Sequence, residues 1–373
     1  MFRDRIVVGS TVLSHRYSGQ IVAKSACERI EKSATVLSRI RVQSFYYICG
    51  MIDARLISAE VEKLFASIEF TSEPAGLYDP LRYMISIGGK RLRPTLCLTA
   101  CGLFCDTLPA EILDCAAALE VFHTFTLIHD DIMDRSPLRR GVPTVWTKWN
   151  EDTAILSGDV MLIDAYKRIA KAPAHCHSEV VDLFSKTAAE VCEGQQFDME
   201  FESRADVSMA EYERMIGLKT AVLIACSAKV GALVANAPAE ACEALYQYGY
   251  QLGMAFQIAD DYLDAYGDEK VFGKPIGGAI INGKKSWLTI RALDKTDSVD
   301  AFMDAFNRDA SSPEARQAKI SAVKLFYDTL GVAEDARAEI RRYSDLALEA
   351  VKDLHCDIEP LRLFSEKLIG RAK

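Results

Sequence analysis

The chain has 373 residues, half of them hydrophobic, with 44 Lys and Arg against 53 Asp and Glu and a net charge of −9. The apolar half is ample for a core. The acid excess excludes nucleic acid as a general partner, since phosphate backbones are bound by basic surfaces, and the lack of an unbroken apolar run of about eighteen residues argues against a membrane span.

Residues 1–50 differ from the rest. They hold eight Lys/Arg against three acids and show no helical period. The readings preferred are a start of translation really at Met51, or a disordered basic extension. An Arg- and Ser-containing targeting peptide is a third. A signal peptide is not expected, because the apolar piece Ile6–Val8 is too short for its hydrophobic region.

From Met51 onward apolar residues recur at three and four, and strand-like alternation is scarce. Ala110–Ile128, Ala154–Ala170, Glu179–Glu202, Met209–Val234 and Ala239–Tyr266 read as long helices. Several are apolar nearly all round, which suits interior helices of a large bundle. No linker divides residues 51–373, so one domain is expected there. The eleven cysteines are scattered. Cys97, Cys101 and Cys105 fall on one helix face. A metal or redox site is one reading of them. Small buried hydrophobes in a reducing cytoplasm is the reading adopted.

Candidate chemistry begins at Gly88-Gly89-Lys90-Arg91-Leu92-Arg93-Pro94. The glycines suit the end of one helix and Pro94 the first turn of the next. Cations at a helix start make an anion site, because free backbone N–H groups add to them. A solvated basic turn is the alternative. His123 lies two helical turns before Asp130 on nearly the same face; a core histidine and a ligand-binding one are both open. His129 is off that face and is read as structural.

Asp130-Asp131-Ile132-Met133-Asp134 then places three carboxylates in an apolar helical segment. Desolvating them is costly unless a cation binds. Asp130 and Asp134 share a face, and Asp131 points roughly 100° away. Arg139-Arg140 follow in a loop. Asp260-Asp261-Tyr262-Leu263-Asp264 repeats the acidic pattern at the end of another long helix. Carboxylates, a divalent cation and arginines are the set that holds a polyphosphate. Lys90 and Arg93 suit a second, metal-free phosphate site.

GGKRLRP, then DDIMD followed by RR, then DDYLD, in this order, resembles the trans-isoprenyl diphosphate synthases, or polyprenyl synthetases. The resemblance covers residues 51–373. It implies an all-α, single-domain helical bundle around a central cavity, acting as a homodimer. It implies three magnesium ions between the aspartate clusters and an allylic diphosphate (dimethylallyl, geranyl or farnesyl). Asp130, Asp134 and Asp260 would be direct ligands, with Asp131, Asp261 and Asp264 in support. Arg139 would hold the allylic diphosphate, aided by Lys274 and Lys284. Lys90, Arg93, His123 and Arg140 would hold isopentenyl diphosphate. Lys219, Thr220 and Gln257 would lie near the allylic cation, and the stretch Glu193–Asp198 would border the cavity.

The resemblance also makes Phe125 the floor that stops chain growth. Helical rise puts it about 7.5 Å below Asp130, although periodicity alone points it away from the carboxylate face. A bulky residue there with Thr126 beside it resembles the geranylgeranyl (C20) type; farnesyl (C15) or longer products are alternatives. A class I terpene cyclase and a non-catalytic regulatory subunit are less favoured, since the second DDxxD, the GGKRLRP turn and all six aspartates are present. One departure stands out. The family usually carries Asp where this chain has Ala279, which implies weaker binding of one magnesium ion.

Overall fold

The computed structural model describes residues 54–204, 206–267 and 276–370. The expectations for residues 1–50 lie outside the described residues. A compact unit spans Ile52–Lys373.

Helix follows helix: α1 (Ala54–Ala66), α2 (Ala75–Ser86), α3 (Leu92–Gly102) and α4 (Ala110–Met133) lead to a short hairpin, β1 (Leu138–Arg139) and β2 (Val142–Pro143). Then come α5 (Val145–Lys148), α6 (Glu151–Ile169), α7 (His177–Ser203) and α8 (Met209–Ile216). A π-helical turn, Gly217–Ala221, joins α8 to α9 (Val222–Val234), and α10 (Ala239–Tyr266) follows. The chain closes with α11 (Gly278–Ile281), α12 (Trp287–Lys295), α13 (Val299–Phe306), α14 (Pro313–Thr329), α15 (Val332–Ala350) and α16 (Glu359–Ile369). The fold is an all-α bundle.

Local sequence explains many helix starts. Asn150, Ser286 and Ser312 each accept a hydrogen bond from the backbone N–H three residues on. Ser208 and Glu211 form a reciprocal capping box. Each such cap contributes about 1 kcal/mol.

Helix α9 is the spine. Its Ile224, Ala228 and Ala232 pack into one hydrophobic cluster with α10 and the C-terminal helices. Its Val222, Cys226, Val230 and Val234 pack into a second cluster with α3, α4, α6 and α7. Spacing by four puts each set on its own face. Leu223 is 2% exposed, so truncating it to Ala would cost about 2–5 kcal/mol. Two stretches, Ala110–Met133 and Met209–Val234, are long and apolar enough to cross a membrane by length and composition, but 67% and 78% of their most apolar windows are buried against other helices. Their apolar surface is spent on the core.

Three features depart from the sequence reading, the first being the π turn that interrupts the stretch Met209–Val234 read as one helix. Helix α4 runs past Ile128 to Met133, so that Asp130 and Asp131 lie on it, as their helical spacing implied, and Asp134 is its C-cap. The stretch read as a loop after it contains the hairpin, in which Leu138 pairs with Pro143 and Arg139 with Val142. Its turn residues Arg140 and Gly141 have φ of 55° and 78°, the left-handed pair that a two-residue hairpin requires.

Candidate active site

The first aspartate cluster is wrapped in cations drawn from distant segments. Asp130 accepts from Lys219 Nζ at 3.3 Å and from Arg139 Nη2 at 3.4 Å. Asp131 is 1% exposed and takes Arg139 as a fork, Nε to Oδ2 at 2.9 Å and Nη2 to Oδ1 at 2.8 Å. Asp134 accepts from Lys284 Nζ at 2.8 Å. Burial works against the charge on Asp130, but Lys219, Arg139 and Lys284 outweigh it and hold the carboxyl below its ordinary pKa. For Asp131 burial wins over Arg139 and pushes the carboxyl up. Burial also opposes the charge of Arg139, yet the bonds and charge of Asp131 keep the guanidinium firmly protonated.

Lys219 is the centre of this arrangement. It also donates to Asp198 Oδ2 at 2.6 Å, and Lys284 lies 3.9 Å from the same oxygen. Burial would lower the lysine's pKa, but Asp130 and Asp198 raise it above the usual ammonium range. The π turn sets its position. A Cβ built on Gly194 of α7 would lie 2.2 Å from Lys219 N, so only glycine lets α7 pack this close. π-helical insertions of this kind concentrate at functional sites.

Neutral donors hold Asp261 in the second cluster. Asp261 accepts from the Tyr212 hydroxyl in a short hydrogen bond, from Trp287 N at 2.8 Å and from Gln257 Nε2 at 3.2 Å. Burial pushes its carboxyl up to about 6 against the pull of those donors. Gln257 Oε1 accepts in turn from Thr220 Oγ1 at 2.9 Å. Asp264 accepts from the backbone N–H of Ala279 at 2.9 Å. Asp260 lies half-buried on the same helix.

The basic turn forms a third region. Arg91, in the left-handed region at φ 47°, turns inward to donate to Glu120 Oε1 at 3.2 Å and to Ile85 O at 2.9 Å. It is therefore a buried brace. Arg93 is buried, and its Nε has no hydrogen-bond partner; burial lowers its pKa to about 10, opposed by Glu120. His123 is held well below its ordinary pKa by burial and by the charges of Arg93, Arg139, Arg140 and Arg91. Arg140 reaches over the turn, so that a Cβ on Gly89 would sit 2.8 Å from its Nη1. The structure thus gathers Arg93, His123 and Arg140, with Lys90 exposed beside them. Tyr83 ties the hairpin to α2 by donating to Pro143 O at 2.6 Å.

The polyprenyl synthetase family profile matches residues 74–323. The chain belongs to this family. It is a prenyltransferase by that membership. The geranylgeranyl diphosphate synthase of Methanosarcina mazei is 41% identical over 248 residues, covering 66% of this chain and 76% of that protein. The geranylfarnesyl diphosphate synthase of Natronomonas pharaonis is 38% identical over 262 residues, covering 66% and 77%. A crystal structure of a geranylgeranyl pyrophosphate synthase superposes with a TM-score of 0.81 at 40% identity, covering 86% of this chain and 99% of that one.

Within this synthetase Phe125 is 8% exposed and packs against Phe122 and His129, with ring centroids 5.5 and 4.8 Å apart. His129 is tied to Ile155 O at 3.1 Å. Lys274 lies outside the described residues. Sequence reasoning placed Asp198 only at the cavity border, whereas it bonds Lys219 directly; its spacing from Gly194 was the available signal. Tyr212 and Glu120 were missed, because a tyrosine or a lone acid at helical spacing looks like ordinary packing. Cys97 and Cys101 lie fully buried in the core.

Proposed function

We propose that this chain condenses isopentenyl diphosphate with an allylic diphosphate to make geranylgeranyl diphosphate (C20). The observation that carries the reading is the pairing of two anion sites. One has Asp130, Asp134 and Asp131 meeting Lys219, Lys284 and Arg139. The other has Arg93, His123 and Arg140 gathered near Glu120, whose Oε1 is taken by Arg91.

The donor set fits magnesium. Asp130, Asp134 and Asp260 offer hard oxygens, with Asp131, Asp261 and Asp264 behind them. Among the described residues no three His, Cys, Asp or Glu side chains converge enough to hold an ion alone. That suits a cation that keeps its waters and uses one or two carboxylates plus substrate phosphates. When bound, up to three such ions would neutralise charge on the departing pyrophosphate.

The protein's own groups do the rest. Arg139, Lys219 and Lys284, with Lys274, hold the allylic diphosphate and compensate charge where it develops. Lys90, Arg93, Arg140 and neutral His123 hold isopentenyl diphosphate. The allylic C–O bond breaks, Thr220 and Gln257 face the resulting cation, and the isopentenyl double bond forms the new C–C bond. The proton lost afterwards goes to pyrophosphate, since no side chain stands apart as a dedicated base. Phe125 closes the floor.

A second copy would cover α6, where Leu156 and Ile163 are 58% and 54% exposed; this supports a homodimer. The free, buried thiols support a reducing, cytoplasmic setting. The second reading is a longer product, favoured by the resemblance to a geranylfarnesyl synthase.

The test is incubation of labelled isopentenyl diphosphate with dimethylallyl, geranyl or farnesyl diphosphate, with and without magnesium, followed by chromatography. Metal-dependent label in a C20 product is expected, and Phe125→Ala should lengthen it. Incorporation without metal would sink the condensation reading. An unchanged product from Phe125→Ala would remove Phe125 as the floor.

A further inference from the structure

Asp261 carries the second letter of the second cluster, and the resemblance placed it in support of the metal. Its surroundings assign it other work. Its Oδ2 takes both the Tyr212 hydroxyl and the Trp287 N–H, and its Oδ1 takes Gln257 Nε2. A carboxylate only accepts. Gln257 must therefore turn its amide nitrogen toward Asp261 and its oxygen away. That oxygen meets Thr220 Oγ1 at 2.9 Å. A carbonyl oxygen only accepts, so Thr220 must donate. Its proton is committed, and what remains to face other groups is lone pair. Thr220 is 9% exposed and adjoins Lys219, which touches Asp130 in the opposite cluster. The hydroxyl thus lies where the two clusters meet.

We propose that Tyr212, Asp261 and Gln257 form an arm that sets the polarity of Thr220, so that its oxygen lone pairs and not its proton face the allylic cation. Tyr212 and Asp261 are positioning residues, and Asp261 is not a metal ligand. The proposal deepens the condensation reading and rests on it for the identity of the cation. A lone pair aimed at developing positive charge lowers the barrier, and a hydroxyl proton in the same place raises it. Tyr212 is 2% exposed, so no water replaces its bond to Asp261, and that oxygen is not free to swing toward a metal.

An isosteric swap tests this. Trp287 N–H is donor-only, so Asp261→Asn must keep its oxygen there and turn its nitrogen toward Gln257. Gln257 then flips, presents N–H to Thr220, and forces the hydroxyl proton outward. Adding Gln257→Glu gives a carboxylate that accepts on both sides and restores the original polarity without changing net charge from wild type. We expect Asp261→Asn to lower kcat by about 10²-fold with KM and the affinity for Mn2+, read by paramagnetic titration, unchanged. The Asp261→Asn/Gln257→Glu pair should recover most of the loss. Tyr212→Phe should lower kcat in the wild-type background but not on top of Thr220→Val, where no hydroxyl is left to orient.

A turnover-independent readout runs in parallel. An allylic diphosphate analogue with an ammonium at the cationic carbon should bind more weakly to Asp261→Asn and regain affinity in the swap, while inorganic pyrophosphate binds all three proteins alike. Weakened Mn2+ binding in Asp261→Asn, comparable to that of Asp130→Asn, would overturn the proposal. So would a swap no better than the single variant in kcat and in ammonium binding. If wild type incorporates no isopentenyl label, the condensation reading falls by itself, and the binding series still decides the arm.

Discussion

The two aspartate clusters are spelled almost alike, DDIMD and DDYLD, yet their second letters, Asp131 and Asp261, fold into opposite electrical surroundings. The first is held by cations, Arg139, Lys219 and Lys284, that reach it from the hairpin, the π turn and the segment before α12. In the second, Asp261 is held by neutral donors, Tyr212, Gln257 and the backbone N–H of Trp287. A cation-held carboxylate exchanges partners when a more highly charged ion or an anionic substrate arrives, because the lysine can follow the phosphate. A carboxylate satisfied by neutral donors stays in place. On this reasoning the cation-held first cluster is suited to exchange and Asp261 to rigidity.

Breaking the cationic side should therefore cost most. Arg139→Met leaves Asp131, almost fully buried, without its fork. Removing one partner of a buried pair costs about 3–5 kcal/mol. Tyr212→Phe on the neutral side removes one donor while the Trp287 N–H remains, at about 1–3 kcal/mol. Urea melts of the two variants should rank in that order. Equal midpoints would erase the distinction between the clusters.

The next contrast is catalytic. Asp130→Asn keeps the shape but removes a charge that both Lys219 and Arg139 face. We expect kcat to fall on the order of 10²–10³-fold. Asp264→Asn keeps an oxygen able to accept from Ala279 N and should fall less. A larger loss from Asp264→Asn, in steady-state rates at saturating substrates, would reverse the assignment of the exchanging cluster.

The contrast also marks where sequence reading runs out. Helical periodicity located α6, α7 and α10 to within a few residues, because their apolar faces are written locally. It bounded α4 at Ile128, although the spacing of Asp130 and Asp134 already put them on one helix face. The helix continues because Asp130, Asp131 and Asp134 are met by Arg139, Lys219 and Lys284, and those partners lie far along the chain. The π turn was illegible for the same reason: Lys219 and Thr220 owe their placement to Gly194 on another helix. Among the cations of GGKRLRP, only structure distinguishes inward-turned Arg91, bonded to Glu120, from Arg93 with its unpartnered Nε.

A pH effect sharpens the picture at the basic site. Burial and the arginines around it hold His123 well below its ordinary 6.5. Unfolded, this histidine takes up a proton as pH falls past 6.5; folded, it does not until lower. The stability it contributes is full above 6.5 and is lost as pH falls toward the folded value. Wild type should therefore lose about 1 kcal/mol more than His123→Gln between pH 7 and 5.5. Parallel stability curves in denaturant melts would mean that the histidine titrates in the fold as it does in the unfolded chain.

The smallest effect concerns the end of the second cluster. The resemblance leads one to expect an acid where this chain has Ala279, whose N–H is bonded to Asp264 Oδ2. The space beside it is tight but not closed: a Cβ on neighbouring Gly278 would sit 3.2 Å from Asp264 Oδ1. An added carboxylate here supplies negative charge close to Asp264 without breaking the backbone bond. Divalent-cation affinity follows the number of charged ligands. Ala279→Asp should lower the magnesium concentration for half-maximal rate by about 3- to 10-fold and tighten Mn2+ binding to match, a gain of about 1 kcal/mol. Unchanged magnesium dependence together with unchanged Mn2+ binding would mean that the missing acid is made up elsewhere.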